Sequence, residues 1–211
     1  RQMCIRDRNG TLARGQRAGN HACMTKVQDL WTVLDALQWT RAFFTKAGCD
    51  SPRLDAELLL ADVLKIERLQ LYVQYERPLA PEEKASYRQL IKRRANGEPV
   101  QYILGEREFW SLPFFVEPGV LIPRPDTETL VELALTEIDA RLAAGREQLR
   151  VADVGTGSGC IGITLAHQRP EVVVHAVDIN PVPVRVATRN AARHNLSERF
   201  IVRQGDGLKA F

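Results

Sequence analysis

The segment Val151-Ala152-Asp153-Val154-Gly155-Thr156-Gly157-Ser158-Gly159 constrains the fold more than any other part of the chain. An apolar run ends in an acid and then breaks into three glycines at alternate positions. The pattern predicts a β-strand that turns tightly and feeds a helix beginning near Ser158. Glycines let backbone N–H groups approach a ligand without interference from a Cβ, and the helix N-terminus behind them favours an anionic group. A second acid, Asp178, closes another apolar run, Val172-Val173-Val174-His175-Ala176-Val177. It lies about 20 residues on, the distance at which a β-α-β unit sets a carboxylate against the hydroxyls of a ribose. A nucleoside-bearing cofactor is implied.

Two readings of the glycines compete. Gly157-x-Gly159-x-x-Gly162 satisfies the dinucleotide fingerprint, a weak pattern when it stands alone. In that fold the first glycine follows directly on an uninterrupted apolar strand, whereas here Asp153 and Gly155 intervene. Written as Asp-x-Gly-x-Gly-x-Gly, the segment resembles the S-adenosylmethionine loop of Rossmann-like methyltransferases. That form suits a ligand without a pyrophosphate, whose ammonium needs an oxygen acceptor and whose carboxylate needs N–H donors. A glycine turn that serves packing alone is the plainer alternative, and the paired acid argues against it.

Charge adds little. The formal +3 of the 211 residues comes from residues 1–23, which carry five arginines against Asp7 and so a net +4; residues 24–211 stand at −1. The body therefore lacks the basic footprint of a nucleic-acid binder. Lys92-Arg93-Arg94 reads as a solvated helix end favoured by the helix dipole. Cys4, Cys23, Cys49 and Cys160 form no Cys-x-x-Cys and no metal spacing with the histidines, which fits reduced, cytoplasmic chemistry without a metal. Cys160 near a helix start is expected to be a small packing residue, the alternative being a thiol of lowered pKa. No apolar segment approaches membrane-spanning length. Residues 1–23 are arginine- and glycine-rich with no hydrophobic period, and are expected to be a disordered or non-native extension, with Met24 the start.

Helical spacing of Leu30, Val33, Leu34, Leu37, Phe43 and Phe44 predicts a helix from Val27 to Lys46, stopped by Gly48. Ser51 as N-cap and Pro52 at the first position open a second helix through Leu64, with Leu54, Leu58, Leu59 and Val63 inward. Pro81-Glu82-Glu83 opens a third that ends at Gly97. Residues 24–97 are thus expected to be a small helical domain, and residues 98–125 a connection. Phe109 to Val116 reads as a short hairpin whose aromatics seal the domain junction. From Asp126 to Ala144 a helix leads into strand 150–154, helix 158–168, strand 172–177, helix 181–195 and strand 199–203. Such alternation predicts a parallel, doubly wound α/β sheet in residues 126–211.

Four further segments carry a specific resemblance: Ser51-Pro52-Arg53-Leu54-Asp55-Ala56-Glu57, Gly97-Glu98-Pro99-Val100, Arg107-Glu108-Phe109-Trp110 and Leu121-Ile122-Pro123-Arg124-Pro125-Asp126-Thr127-Glu128. Over residues 26–211 the chain resembles the release factor glutamine methyltransferases of the PrmC/HemK type. The resemblance implies a fold class in which a small N-terminal helical domain precedes a Rossmann-like class I methyltransferase domain. It implies S-adenosylmethionine as cofactor and peptide chain release factors as protein substrate, methylated on the glutamine of a Gly-Gly-Gln motif. It further implies a cytoplasmic monomer that binds neither nucleic acid nor membrane. The helical domain would recognise the substrate.

Carried over residue by residue, the resemblance places the cofactor against Asp153, Gly155, Thr156, Gly157, Ser158, Gly159, Asp178, Asp206 and Gly207. Arg124 and Thr127 would line the acceptor channel. Many relatives carry a bulky residue where Gly207 stands. The family's Asn-Pro-Pro-Tyr acceptor loop does not occur in the 211 residues; Asn180-Pro181 continues with Val182 and reads as a helix start. The chain is therefore expected to be an N-terminal fragment with an incomplete sheet, inactive by itself. Methylation of a glutamine in a ribosomal protein is the alternative within the same chemistry. From a different class, the helical domain could be a protein-binding module beside an inert α/β half, and an NAD-linked oxidoreductase is the remaining reading.

Overall fold

A computed structural model describes residues 31–210, so the expectations for residues 1–23, for Met24 and for Leu30 lie outside the described residues. Helix α1 (Val33–Lys46) begins at a capping box: the Thr32 hydroxyl accepts the Asp35 N–H at 3.2 Å while the Asp35 carboxylate accepts the Thr32 N–H at 3.0 Å. It buries Val33, Ala36, Thr40 and Phe44. Leu34 and Phe43, also part of the apolar spacing, are exposed; Phe43 stacks on Trp39, centroids 5.2 Å apart. Ala36, Thr40 and Phe44 form one i, i+4 row, and its small members let the next helix approach closely.

That helix, α2 (Pro52–Leu64), has Ser51 at its N-cap, although the Ser51 side chain makes no capping bond. Its buried face differs from the expected one. Leu59 is inward, but Leu54 is exposed, and Asp55 and Glu57 are buried beside Ala56, Leu60 and Ala61. Both acids are paired, which is what makes their burial tolerable. Asp55 takes Arg94 at 2.7 Å across to another helix. Glu57 accepts the Arg53 Nε–H at 2.8 Å and the Tyr72 hydroxyl. Three more helices follow: α3 (Arg68–Val73), α4 (Pro81–Ala95) and α5 (Val100–Leu104). Periodicity had pointed to α4 but not to the short α3 and α5. At the end of α4, Lys92 and Arg93 are exposed, as a solvated helix end requires, with Arg93 pairing with Glu98, while half-buried Arg94 ties the helix to Asp55.

The hairpin is β1 (Glu106–Phe109) and β2 (Leu112–Phe115), starting three residues before the expected span. Its two-residue turn holds Trp110 at φ 53° and Ser111 at φ 58°, the left-handed pair of a type I′ turn without the usual Asn-Gly. The Trp110 N–H donates to the Glu128 carboxylate at 3.0 Å, which helps hold this unfavourable geometry. Phe109 and Phe114 are buried in the α/β core and not in the helical cluster, so they serve the α/β half more than the junction.

A 3-10 turn (Pro125–Thr127) precedes α6 (Glu128–Ala143), two residues later than the expected helix start. Then come β3 (Leu149–Val154), α7 (Cys160–Gln168), β4 (Val172–Asp178), α8 (Pro181–Arg193), β5 (Phe200–Gln204) and a 3-10 turn (Gly207–Ala210). The strands are parallel, in the order β3-β4-β5. Central β4 is the most apolar: Val172, Val174 and Ala176 are buried along one face, while Val173 and His175 on the other are half-buried. All three strands end at one edge, and that edge carries the glycine segment and Asp178.

Burial pushes the Glu57 carboxyl up, but the bonds from Tyr72 and Arg53 and the charges of Arg53 and Arg68 outweigh it and hold it below the ordinary glutamate range. A carboxyl lowered by folding stabilises the fold above its unfolded value of 4.5 and loses that contribution as pH falls through the folded value. Glu57→Gln should therefore flatten the acid limb of a melting-temperature profile, while lowering stability at neutral pH. An unchanged acid limb would refute the assignment.

Candidate cofactor site at the carboxyl edge of the sheet

The loop from Val154 to Gly159 is shaped by its own bonds. Gly155, Gly157 and Gly159 stand at φ 74°, 58° and 80°, a left-handed conformation that L side chains rarely adopt. The Gly155 and Thr156 N–H groups both donate to the Val177 carbonyl, at 2.8 and 3.1 Å, and the Gly159 N–H donates to the Thr156 carbonyl at 2.8 Å. The Gly157 N–H donates to the Asp178 carboxylate at 3.1 Å. All four amides have partners within the protein: three reach the end of β4, and that of Gly159 closes back on the loop itself.

Asp153 is similarly committed. Its Oδ2 accepts the Thr156 hydroxyl at 2.7 Å and the Gly162 N–H at 3.2 Å, in the first turn of α7. The anion that this helix N-terminus attracts is the protein's own. Burial raises the Asp153 carboxyl above the ordinary range, and the charge of Asp178 adds to it, while the two hydrogen bonds work the other way. Helix α7 starts at Cys160, two residues beyond the expected Ser158. Cys160 is buried in the α/β core, and desolvation pushes its thiol up to about 11, opposite to a thiol of lowered pKa.

Asp178 closes β4 with both oxygens in use. Oδ2 takes Gly157 and Oδ1 takes the Asn180 N–H at 3.0 Å, so each retains a lone pair for a further donor. Asn180 caps α8 by accepting the Val182 N–H at 3.1 Å, which fits its reading as a helix start. Past β5, Asp206 is exposed and pairs with Lys209 at 3.1 Å; Gly207 opens the closing 3-10 turn at φ 55°. Among the remaining loop residues, Thr156 and Ser158 are buried.

Seven of the nine expected cofactor residues, Asp153 to Gly159 and Asp178, therefore meet in one bonded unit, with Asp206 and Gly207 following the neighbouring strand. Arg124 lies elsewhere. It lines a cleft of about 560 Å³ with Ser51, Asp55, Gly97, Arg107 and Asp126, a cleft that shares no lining residue with the glycine loop. All four segments that carry the resemblance reach this cleft. Thr127 does not line it and stands instead at the N-cap of α6. Sequence reasoning passed over Asn190, wholly buried on α8, whose only signal was an amide within an apolar helical row. It also passed over Ile179, an apolar side chain left 69% exposed immediately after Asp178.

Residues 35–105 match the family model of the PrmC N-terminal domain, and residues 135–211 match a methyltransferase domain. The chain is 45% identical over 183 residues to the release factor glutamine methyltransferase of Chlorobaculum tepidum, covering 87% of this chain and 62% of that protein. It is 45% identical to that of Geobacter sulfurreducens (81% of this chain, 58% of that one) and 42% identical to that of Rhodopirellula baltica (83% and 59%). The chain thus spans about six-tenths of the length of these relatives. Among the described residues, no helix is long and apolar enough to cross a membrane, and no group of His, Cys, Asp and Glu could hold a metal ion.

Gly162 is the tightest point of the unit. A Cβ there would lie 2.8 Å from the Asp153 carboxylate, from the Phe200 ring and from Val174. Gly162→Ala should cost about 1–3 kcal/mol by overpacking. Urea unfolding checks this; a variant as stable as the parent would show that the loop floor yields freely.

Proposed function

We propose that this chain supplies the helical domain and the cofactor-binding half of an enzyme that transfers a methyl group from S-adenosylmethionine to a glutamine side-chain amide of peptide chain release factors. The carrying observation is the pairing of the Asp178 carboxylate with the glycine loop at the carboxyl edge of a parallel sheet, in a chain similar to release factor glutamine methyltransferases.

The residues present suit such a cofactor. A Cβ placed at Gly155 would meet nothing within 4 Å, and at Gly157 only the Gly155 carbonyl oxygen at 4.0 Å, so bare backbone faces the open side. The free lone pairs of Asp178 suit two ribose hydroxyls. Exposed Ile179 and Leu208 offer apolar surface for a flat base, with Asp206 beside them. Asp153 and Thr156 then act through the loop, by holding its shape. The bound cofactor would supply an electrophilic methyl on a sulfonium. An amide nitrogen is a weak nucleophile because its lone pair is delocalised, so the protein must contribute mainly position and orientation.

The Gly-Gly-Gln motif is the proposed acceptor, with Arg124 in the cleft beside the helical domain and Thr127 at the head of α6 as residues of the acceptor side. Residues 24–97 are the proposed recognition domain, residues 98–125 the connection and residues 126–211 the cofactor half. Such an enzyme would work in the cytoplasm, as a monomer, in translation termination.

Asp178→Ala should weaken S-adenosylmethionine binding by about 1–3 kcal/mol, since ribose hydroxyls lose their acceptor. Calorimetry reads this directly, and preferential binding of NADH by the parent protein would sink the reading. In the longer enzyme, deleting residues 24–97 should raise KM for intact release factor and leave cofactor affinity nearly unchanged. An unaltered KM would remove the recognition role.

A further inference from the structure

We propose that Asn190 is a positioning residue for the glycine loop, tying its Ser158 carbonyl to the β-hairpin; the consequence for cofactor affinity rests on the reading above. The Asn190 side chain is fully buried in α8. Its Nδ2 donates to the Ser158 carbonyl at 2.8 Å and to the Phe115 carbonyl at 3.1 Å, and its Oδ1 accepts the Phe115 N–H at 2.7 Å. One amide thus joins three segments separated in sequence by 32 and 75 residues. Asparagine is a poor residue for a helix interior, and a buried amide is costly unless bonded. Both penalties are met here because its two donors and its acceptor all have partners. An aspartate of the same shape keeps the acceptor for Phe115 but sets its oxygens against two carbonyls.

The hairpin does not depend on Asn190 alone for its seat on α8. Arg189 and Arg193 lie over the Phe115 ring at 3.6 and 4.5 Å, and Arg193 also pairs with Glu106 at 2.6 Å. The His194 Nε2 meets the Pro113 carbonyl at 3.0 Å, and Arg185 pairs with Glu117. None of these contacts reaches the glycine loop. Anchoring the hairpin and positioning the loop are therefore separable: unlike these arginines and His194, Asn190 also bonds the loop, at Ser158, and adds to the bonds the loop makes with Asp153, Asp178 and Val177. Beyond β2 the same path continues toward the helical domain, where the Val116 N–H donates to the Gly105 carbonyl and the Tyr102 hydroxyl donates to the Val120 carbonyl at 2.6 Å.

Asn190→Asp tests this against Arg193→Ala, which loosens the hairpin without touching the loop. In the full chain without ligand, Asn190→Asp should speed amide exchange at Gly157 and Gly159 at least tenfold and weaken S-adenosylhomocysteine binding at least tenfold. Arg193→Ala should lower the melting temperature but leave both quantities within twofold. Wild-type exchange in folded Asn190→Asp, or an equal effect of Arg193→Ala, would overturn the proposal. Should Asn190→Asp not fold, through-hydrogen-bond coupling from the Asn190 Nδ2 to the Ser158 carbonyl carbon is expected in the unmutated protein, and its absence would overturn the proposal as well. If the parent fails to bind S-adenosylhomocysteine, the cofactor reading falls while the exchange comparison still decides the role of Asn190.

Discussion

The Asp153 carboxylate, half-buried at the head of α7, is the interaction around which the candidate site is organised. It holds Thr156 on one side and Gly162 on the other, so it fixes where the glycine turn begins and where the helix takes over. A buried carboxylate is expensive unless hydrogen bonds and a favourable dipole compensate for lost water. Here the helix N-terminus supplies the dipole and the loop supplies the bonds. The turn, in turn, delivers the Gly157 N–H to Asp178, which joins the ends of β3 and β4 through side chain as well as ladder.

The α/β half was largely legible in the sequence. Its strands are apolar runs closed by acids or glycines, and the helices between them carry clear starts such as Asn180-Pro181. The helical half was harder, for a reason visible in α2. Asp55 and Glu57 behave as core residues because Arg94, Arg53 and Tyr72 reach them from elsewhere in the chain. A reading that assigns charged positions to solvent must then turn the helix the wrong way and put Leu54 inside. Short α3 and α5 lack enough turns to show a period. The hairpin turn, built on Trp110 and Ser111, carries none of the glycine chemistry that usually announces such a geometry. Asn190 escaped notice because its importance lies wholly in three backbone groups that no local pattern reveals.

Alpha-helix α8 carries much of the communication between the halves. Its Arg185, Arg189 and Arg193 recur every four residues along one face, and each engages the hairpin or the segment after it. Individually, exposed ion pairs contribute little. Stacked with a buried amide along one helix, they define a continuous seat for the segment that leaves the helical half.

The internal bonding of the glycine loop bears on timing. A turn whose amides are satisfied before any ligand arrives needs little ordering on association, so the conformational penalty that slows many encounters is small. For a cofactor of the proposed kind, the spent form differs from the fresh one only by the methyl group and the charge at the sulfur, while the ribose hydroxyls and the base are unchanged. A rigid cradle that grips the common part would hold both alike. Exchange of one for the other would then be governed by whatever closes over the sulfur, and not by the loop.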